Sequence, residues 1–349
     1  MKFSFIDLFA GIGGFHIALK NLGGECVFAS EIDEKARSTY ISNHGGDVFG
    51  DIRKITAPNR SDEYIDKMIP HHKVLAAGFP CQPFSLAGVS ARNSLGQKHG
   101  LLDETQGTLF YDIARIAKVK KPDALLLENV SNIVNHDKGR TFSTLRSVIE
   151  GELGYELHYA VLSSETLVPQ RRRRCFIVAL KEPICNFKFP DLDGKPIPLK
   201  MALEPSVDSK YTISDRSWEG HQRRTANNLA RGTGFTAFEA DLEKPSKTLV
   251  ARYYKDGKEC LVPQDGKNPR LLTPRECARL QGFPENFEPH PTRSVAYKQF
   301  GNAVPVPLVQ EVAKCMLAQM EENYFNRYKN APVRQSGNSA RSVYFCPEN

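Results

Sequence analysis

From Lys2 to about Ile177, short apolar runs alternate with stretches of helical spacing. "FSFIDLF", "ECVFASE", "KVLAAGF", "ALLLENV", "YAVLSS" and "CFIVAL" predict strands, since each is a brief run of apolar and β-branched residues. Between several of them, Phe15 to Leu22, Thr108 to Lys118 and Thr141 to Glu150 repeat apolar positions at helical spacing, and Gly154 follows the third as a stop signal. Strands alternating with helices predict parallel strands in a doubly wound α/β sheet.

After Glu182 the pattern breaks. "EPICNFKFPDLDGKPIPLK" is rich in proline and turn residues, and the residues that follow have short β-like runs without the helix alternation. A second, smaller, β-rich domain is expected there. Within it, "SKTLVARYY" and "KECLVPQ" flank "KDG", which predicts a β-hairpin closed at Asp256 and Gly257. A Thr-Pro signal opens a helix in "TPRECARLQGF", and "AVPVPLVQEVAKCMLAQMEENY" predicts a last helix returning to the first domain. The expected division is 1–183 for the α/β domain, 184–272 for the smaller domain, 273–298 for a hinge, 299–329 for the returning helix and 330–349 for a polar tail.

Composition adds constraints. A 349-residue chain with 40% hydrophobic residues can bury a large core. Lysine and arginine exceed aspartate and glutamate by 47 to 40, which favours a polyanionic partner without demanding one. Eight cysteines with no CxxC pair suit a reduced cytosolic set, so neither a disulfide frame nor a metal site is expected. Asp7 and His16 interrupt the apolar N-terminus, and no run reaches the length of a membrane helix, so the expected location is cytoplasmic.

"IDLFAGIGGF" is a strand entering a glycine-rich turn that opens a helix, as a nucleotide-type cofactor requires where backbone must approach closely. The dinucleotide fingerprint would need glycine where His16 stands. Glu31, twenty residues after Gly11, ends the second strand, and Asp51 follows a third short run. Two acids at strand ends beside a glycine turn suit one adenosine without a pyrophosphate, pointing to S-adenosylmethionine. The plain alternative is that both are strand-end or capping residues.

Cys81 lies in "AAGFPCQPFS", after an apolar strand and between Pro80 and Pro83, which restrict the backbone and fix the direction of the thiol. Buried packing residues are the ordinary fate of cysteine, and Cys26, Cys175, Cys277 and Cys315 fit it. Glu128 ends the leucine run of "LLLENV", where desolvation raises a carboxyl pKa and makes a proton donor. "PQRRRRC" leads into a strand, so alternation sends Arg172 and Arg174 one way and Arg171 and Arg173 the other. A solvated arginine face is the competing reading.

In order and approximate spacing, "DLFAGIGG", "GFPCQPFS", "ENV", "QRRRR", "RECARLQGF" and "YKQFGNAVPVPLV" resemble the motifs of the DNA (cytosine-5)-methyltransferase family. The resemblance implies an S-adenosylmethionine-dependent enzyme with a Rossmann-like catalytic domain and a target-recognition domain acting on double-stranded DNA. It implies Cys81 as the nucleophile that adds to cytosine C6, Glu128 at the ring N3 and exocyclic amine, Arg174 at the ring O2 and Arg172 in support. For the cofactor it implies Phe9, Gly11 and Gly13 in the turn, Glu31 and Ile32 after the second strand, Asp51 and Ile52 at the adenine, and Pro80, Leu109 and Asn302 around the pocket. No metal is implied.

A stacked cytosine cannot reach a thiol in a cleft, so the target base is expected to rotate out of the duplex. The segment after Cys81 corresponds to the family's mobile loop and offers Arg92, Lys98 and His99 as phosphate contacts, while Ala87 replaces a serine found in some relatives. The smaller domain offers Thr248, Leu249, Arg252, Tyr253, Tyr254 and Lys255 for DNA. Loop and hairpin look most like the Dcm-like bacterial subset, which methylates CCNGG-type sites. The expected partners are duplex DNA and a cognate restriction endonuclease, the enzyme being monomeric. A tRNA cytosine enzyme is disfavoured by the missing Cys-Phe-Thr signature, an amino-methyltransferase by the missing Pro-Pro-Tyr, and an inactive relative by the presence of Cys81, Glu128 and both arginines.

Overall fold

A computed structural model describes residues 2–80, 109–184, 186–232, 234 and 236–329 of the chain. Cys81, Ala87, Arg92, Lys98, His99 and the tail from 330 lie outside the described residues. The first part of the chain forms β1 (Phe3–Leu8), α1 (Gly14–Asn21), β2 (Gly24–Ser30), α2 (Glu34–His44), α3 (Arg53–Thr56), α4 (Asp62–Met68), β3 (Val74–Gly78), α5 (Leu109–Lys120), β4 (Ala124–Val130), α6 (Arg140–Arg146), β5 (Glu156–Ser163) and β6 (Arg173–Leu180). Then come α7 (Asp215–Ala230), α8 (Tyr253–Asp256), β7 (Val262–Gln264), β8 (Lys267–Arg270), α9 (Pro274–Leu280), α10 (Arg293–Asn302) and α11 (Val306–Lys329).

The six long strands make one sheet in the order β2-β1-β3-β4-β6-β5. Strands β2, β1, β3 and β4 run parallel, whereas β6 is antiparallel to both of its neighbours. No crossover helix separates β5 from β6, so that pair closes antiparallel and the sheet is mostly parallel, as expected. The α/β class stands.

Both faces of the sheet centre are covered, which is why β3 and most of β4 and β6 read as continuous apolar runs. Phe5, Ala76, Leu126 and Phe176 pack with Phe15 and Leu19 of α1 and Val309, Val312 and Met316 of α11. On the opposite face Ile6, Leu75, Leu127 and Ile177 pack with Ile113 and Ile116 of α5. Each of the larger side chains here contributes about 1.5–3 kcal/mol on burial.

The region 184–272 differs from the β-rich expectation. Among the described residues it holds only the hairpin β7/β8 and isolated bridges, while α7 alone spans 16 residues. Helix α7 starts at Ser214, whose side chain accepts the Ser217 N–H, and its buried residues are polar: His221 and Thr225. Thr225 Oγ1 accepts the Ala237 N–H at 2.9 Å, and His221 Nε2 lies 3.0 Å from the Asp256 carbonyl. An apolar stripe was therefore never available to announce this helix.

The predicted hairpin at Asp256–Gly257 is also corrected. Gly257, at φ 63°, ends α8, and a Cβ there would lie 2.0 Å from Leu271. The hairpin forms instead between Gln264 and Lys267, around Asp265 and Gly266. The expected boundary at 298/299 falls inside α10, and α11 begins only after Pro305.

A buried polar junction joins three distant segments. Gln170 donates to the Leu280 carbonyl at 2.9 Å and accepts the Leu249 N–H at 2.8 Å. Arg172 donates to the Leu249 carbonyl at 2.8 Å and the Gly301 carbonyl at 3.1 Å. Gly301 permits the crossing, because a Cβ there would lie 2.3 Å from Val250 C and 2.4 Å from Ala251 N.

Gly301→Ala sets helix propensity, worth up to about 1 kcal/mol in favour of alanine, against a collision with backbone that cannot rotate away. The collision should win. We expect a net loss of about 1–3 kcal/mol in urea unfolding, and an unchanged midpoint would refute the tight crossing.

Under the glycine turn, His16 Nδ1 lies 2.6 Å from Tyr40 Oη, and its ring stacks on His44 at 4.4 Å. Burial first, then the neighbouring His44 and Lys20, push His16 from 6.5 down to about 3. A depressed histidine is neutral when folded but takes a proton when unfolded, so its contribution is complete above pH 6.5 and lost as pH falls toward 3. His16→Phe should flatten the acid side of the stability–pH curve in that window, and a curve of unchanged slope would contradict this.

Candidate active site

The C-terminal ends of β1, β2, β3 and β4 meet at one edge of the sheet, and the N-terminal end of the reversed β6 joins them there. Chain order changes direction between β1 and β3, which is where doubly wound sheets open a crevice. A cavity of about 660 Å³ occupies this edge.

One wall is the glycine turn. Phe9, at φ 57°, takes a left-handed conformation that costs a non-glycine residue about 1 kcal/mol or more, and it turns the chain out of β1. Gly11 follows at φ 56°, and a Cβ there would meet nothing within 4 Å, so its backbone borders open space. Its N–H donates to Glu31 Oε2 at 2.8 Å, while Glu31 Oε1 accepts the Asp33 N–H at 2.8 Å. Two backbone donors thus fix the Glu31 carboxylate and leave further lone pairs for a ligand. Ile32, beside it, is 58% exposed.

Phe9, Gly11, Glu31, Ile32, Pro80, Leu109 and Asn302 all line this cavity. Gly13, Asp51 and Ile52 stand outside the lining of this cavity. Gly13 instead makes room for His44, whose Nε2 would lie 2.1 Å from a Cβ at that position. Asp51 is held by Arg53, whose Nη2 donates at 2.7 Å, and Ile52 is 3% exposed in the core.

The opposite end of the cavity is charged. Glu128 stands in register with Gly78 on one side and Phe176 on the other. Arg174 Nε lies 2.8 Å from Glu128 Oε1 and, at the other end of the guanidinium, Nη1 donates to the Arg173 carbonyl at 2.8 Å. Arg172 and Arg174 turn inward while Arg171 and Arg173 are exposed, as strand alternation requires. Burial raises the Glu128 pKa, with Arg174 and then Arg172 opposing the rise. Burial, with help from the Arg174 charge, pushes Arg172 down to about 9. Arg172 is 2% exposed and committed to two carbonyls, so Arg174 is the arginine placed against the carboxylate.

Cys81 is not among the described residues; Pro80, directly before it in sequence, lines the cavity. Asn129 holds this entry, donating from Nδ2 to the Phe79 carbonyl at 2.9 Å while its Oδ1 accepts the Val130 N–H at 2.8 Å. Sequence reasoning passed over Asn129 and Gln170. Their signal was a polar side chain at the end of, or just before, an otherwise apolar strand.

The expected DNA contacts divide. Arg252 and Lys255 are exposed, and Thr248 is partly exposed, its hydroxyl donating to the Arg171 carbonyl at 2.7 Å. Leu249 is corrected: it is 1% exposed and packs in the core, so its side chain is not available to a base edge. Tyr253 is buried, donating to the Cys260 carbonyl at 2.7 Å and accepting the Leu272 N–H at 2.9 Å. Tyr254 is 43% exposed but faces the cavity.

A family model described as C-5 cytosine-specific DNA methylase matches residues 3–318. The chain is 47% identical over 330 residues to the Type II methyltransferase M1.ScrFI of Lactococcus lactis subsp. cremoris, covering 92% of this chain and 80% of that protein. It is 38% identical over 380 residues to the DNA-cytosine methyltransferase of Escherichia coli K12, covering 94% and 80%. The S. pombe Dnmt2 methyltransferase structure shares the fold at a TM-score of 0.67 and 21% identity, over 91% of this chain and 99% of that one. With a match across nearly its whole length, the chain belongs to the C-5 cytosine-specific DNA methylase family.

Proposed function

We propose that this enzyme transfers a methyl group from S-adenosylmethionine to C5 of a cytosine rotated out of duplex DNA, with Cys81 as nucleophile. The observation that carries the reading is the Glu128–Arg174 pair at 2.8 Å, on the wall of one cavity with the Gly11 turn and Glu31.

The residues fit the cofactor. Gly11 leaves space where a side chain would intrude, and Glu31 is oriented with lone pairs to accept ribose hydroxyls. Ile32 offers an exposed apolar surface to the adenine, with Phe9, Leu109 and Asn302 completing the pocket. When bound, the sulfonium supplies an electrophilic methyl group.

Cytosine C5 is too weak a nucleophile to accept that methyl unaided. Addition of the Cys81 thiolate to C6 forms a carbon–sulfur bond and moves electron density to C5. Glu128, whose carboxyl pKa is raised by burial, donates a proton to N3 and offsets the negative charge arising in the ring. Arg174 orients that carboxyl and presents its remaining N–H groups to the ring O2. After transfer, loss of the C5 proton and expulsion of the Cys81 sulfur restore the aromatic ring.

The target is proposed to be a CCNGG-type site, read by the 184–272 region, in a restriction–modification setting. That preference rests on the likeness of "AGVSARNSLGQKHG" and "ARYYKDGKE" to the Dcm-like subset. Base-resolution methylation mapping of plasmid DNA from cells expressing the chain tests it. Methylation at CCNGG is expected, and methylation confined to another motif would overturn the site preference alone. Glu128→Gln should lower kcat by about 10²–10⁴-fold while duplex affinity is kept, and undiminished turnover would remove Glu128 from the reaction.

A further inference from the structure

Two adjacent tyrosines of α8 have opposite fates. Tyr253 is locked in the core by two hydrogen bonds, and Gly257 stops the helix one turn later. Tyr254 is therefore held in place by its neighbour yet leaves 43% of its surface open at the cavity wall. Across from it, Lys298 of α10 donates to Asp33 Oδ2 at 2.7 Å. Asp33 caps α2, and its own N–H is held by Glu31 Oε1. The hydrogen bond to Asp33 raises the Lys298 pKa, and Glu31 and Tyr254 also lie within its electrostatic reach. Tyr254, Lys298, Asp33 and Glu31 thus form one rim on the glycine-turn side of the cavity.

We propose that Tyr254 is a cofactor-binding residue, closing with the Lys298–Asp33 pair over the mouth of the S-adenosylmethionine pocket, and not a reader of DNA bases. A planar ring fixed at its base loses little freedom on covering a ligand, so its contact area converts efficiently into retention. The ring arrives from the 248–256 segment, whose Leu249 carbonyl is held by Arg172 and whose Val250–Ala251 backbone crosses Gly301. Cofactor occupancy and the placement of this segment are therefore linked. The inference rests on the cavity being the S-adenosylmethionine site.

Binding of S-adenosylhomocysteine to the DNA-free full-length protein, followed by calorimetry and by stopped-flow dissociation, tests it. Tyr254→Ala should weaken binding about tenfold, mainly through faster release, with Tyr254→Phe within about twofold of the parent because the ring is kept. Affinity of the cofactor-free protein for duplex DNA should be unchanged in both variants. If Glu31→Ala loses the ligand while Tyr254→Ala retains it and loses DNA affinity instead, the site reading survives and this inference falls. If the parent protein fails to bind S-adenosylhomocysteine, both fall.

Discussion

The buried guanidinium of Arg172 holds together the two parts of the chain that frame the active-site edge. One arm bonds the carbonyl of Leu249, at the start of the segment carrying α8, and the other bonds Gly301, in the helix that presents Asn302. Gln170, two residues earlier, fixes the same segment from its N–H side and anchors it to the end of α9. Removing these donors would leave buried carbonyls unpaired at about 1–3 kcal/mol each. A charge this deep is expensive to bury, and the two carbonyls together with nearby Glu128 offset that cost. The cavity exists because three segments far apart in sequence are drawn to one strand end.

Strand alternation then allocates the neighbouring arginine. Arg174, two residues on, shares the inward face but stands beside Glu128, so one arginine serves architecture while the other is free for the proposed chemistry. Burial raises the Glu128 pKa, and the two arginines oppose the rise. A raised carboxyl pKa fits the proposed donation of a proton to a ring nitrogen.

The sheet was legible because both its faces are buried: "ALLLENV" is a continuous apolar run and became β4 without adjustment. Glu31 and the Gly11 turn were legible as a carboxylate and a glycine at matching strand ends, as were the inward-facing Arg172 and Arg174 from their spacing of two. What failed did so for physical reasons. Helix α7 buries polar residues and gives no apolar period. Two Asp-Gly pairs stand nine residues apart, and the first ends a helix whereas the second turns a hairpin. Gly13 also accommodates His44, a packing demand invisible without the third dimension. Leu249 looked like a groove contact because a β-like run does not reveal which of its residues points inward.

The account turns on a covalent bond between Cys81 and the target ring. The most direct measurement places 5-fluorocytosine at the target position of a duplex, adds enzyme and S-adenosylmethionine, and maps any protein–DNA adduct by peptide mass. Fluorine cannot leave as the C5 proton does, so the account predicts a stable adduct on Cys81 that Cys81→Ala abolishes. Methylation proceeding with no adduct, or an adduct on another residue, would contradict it.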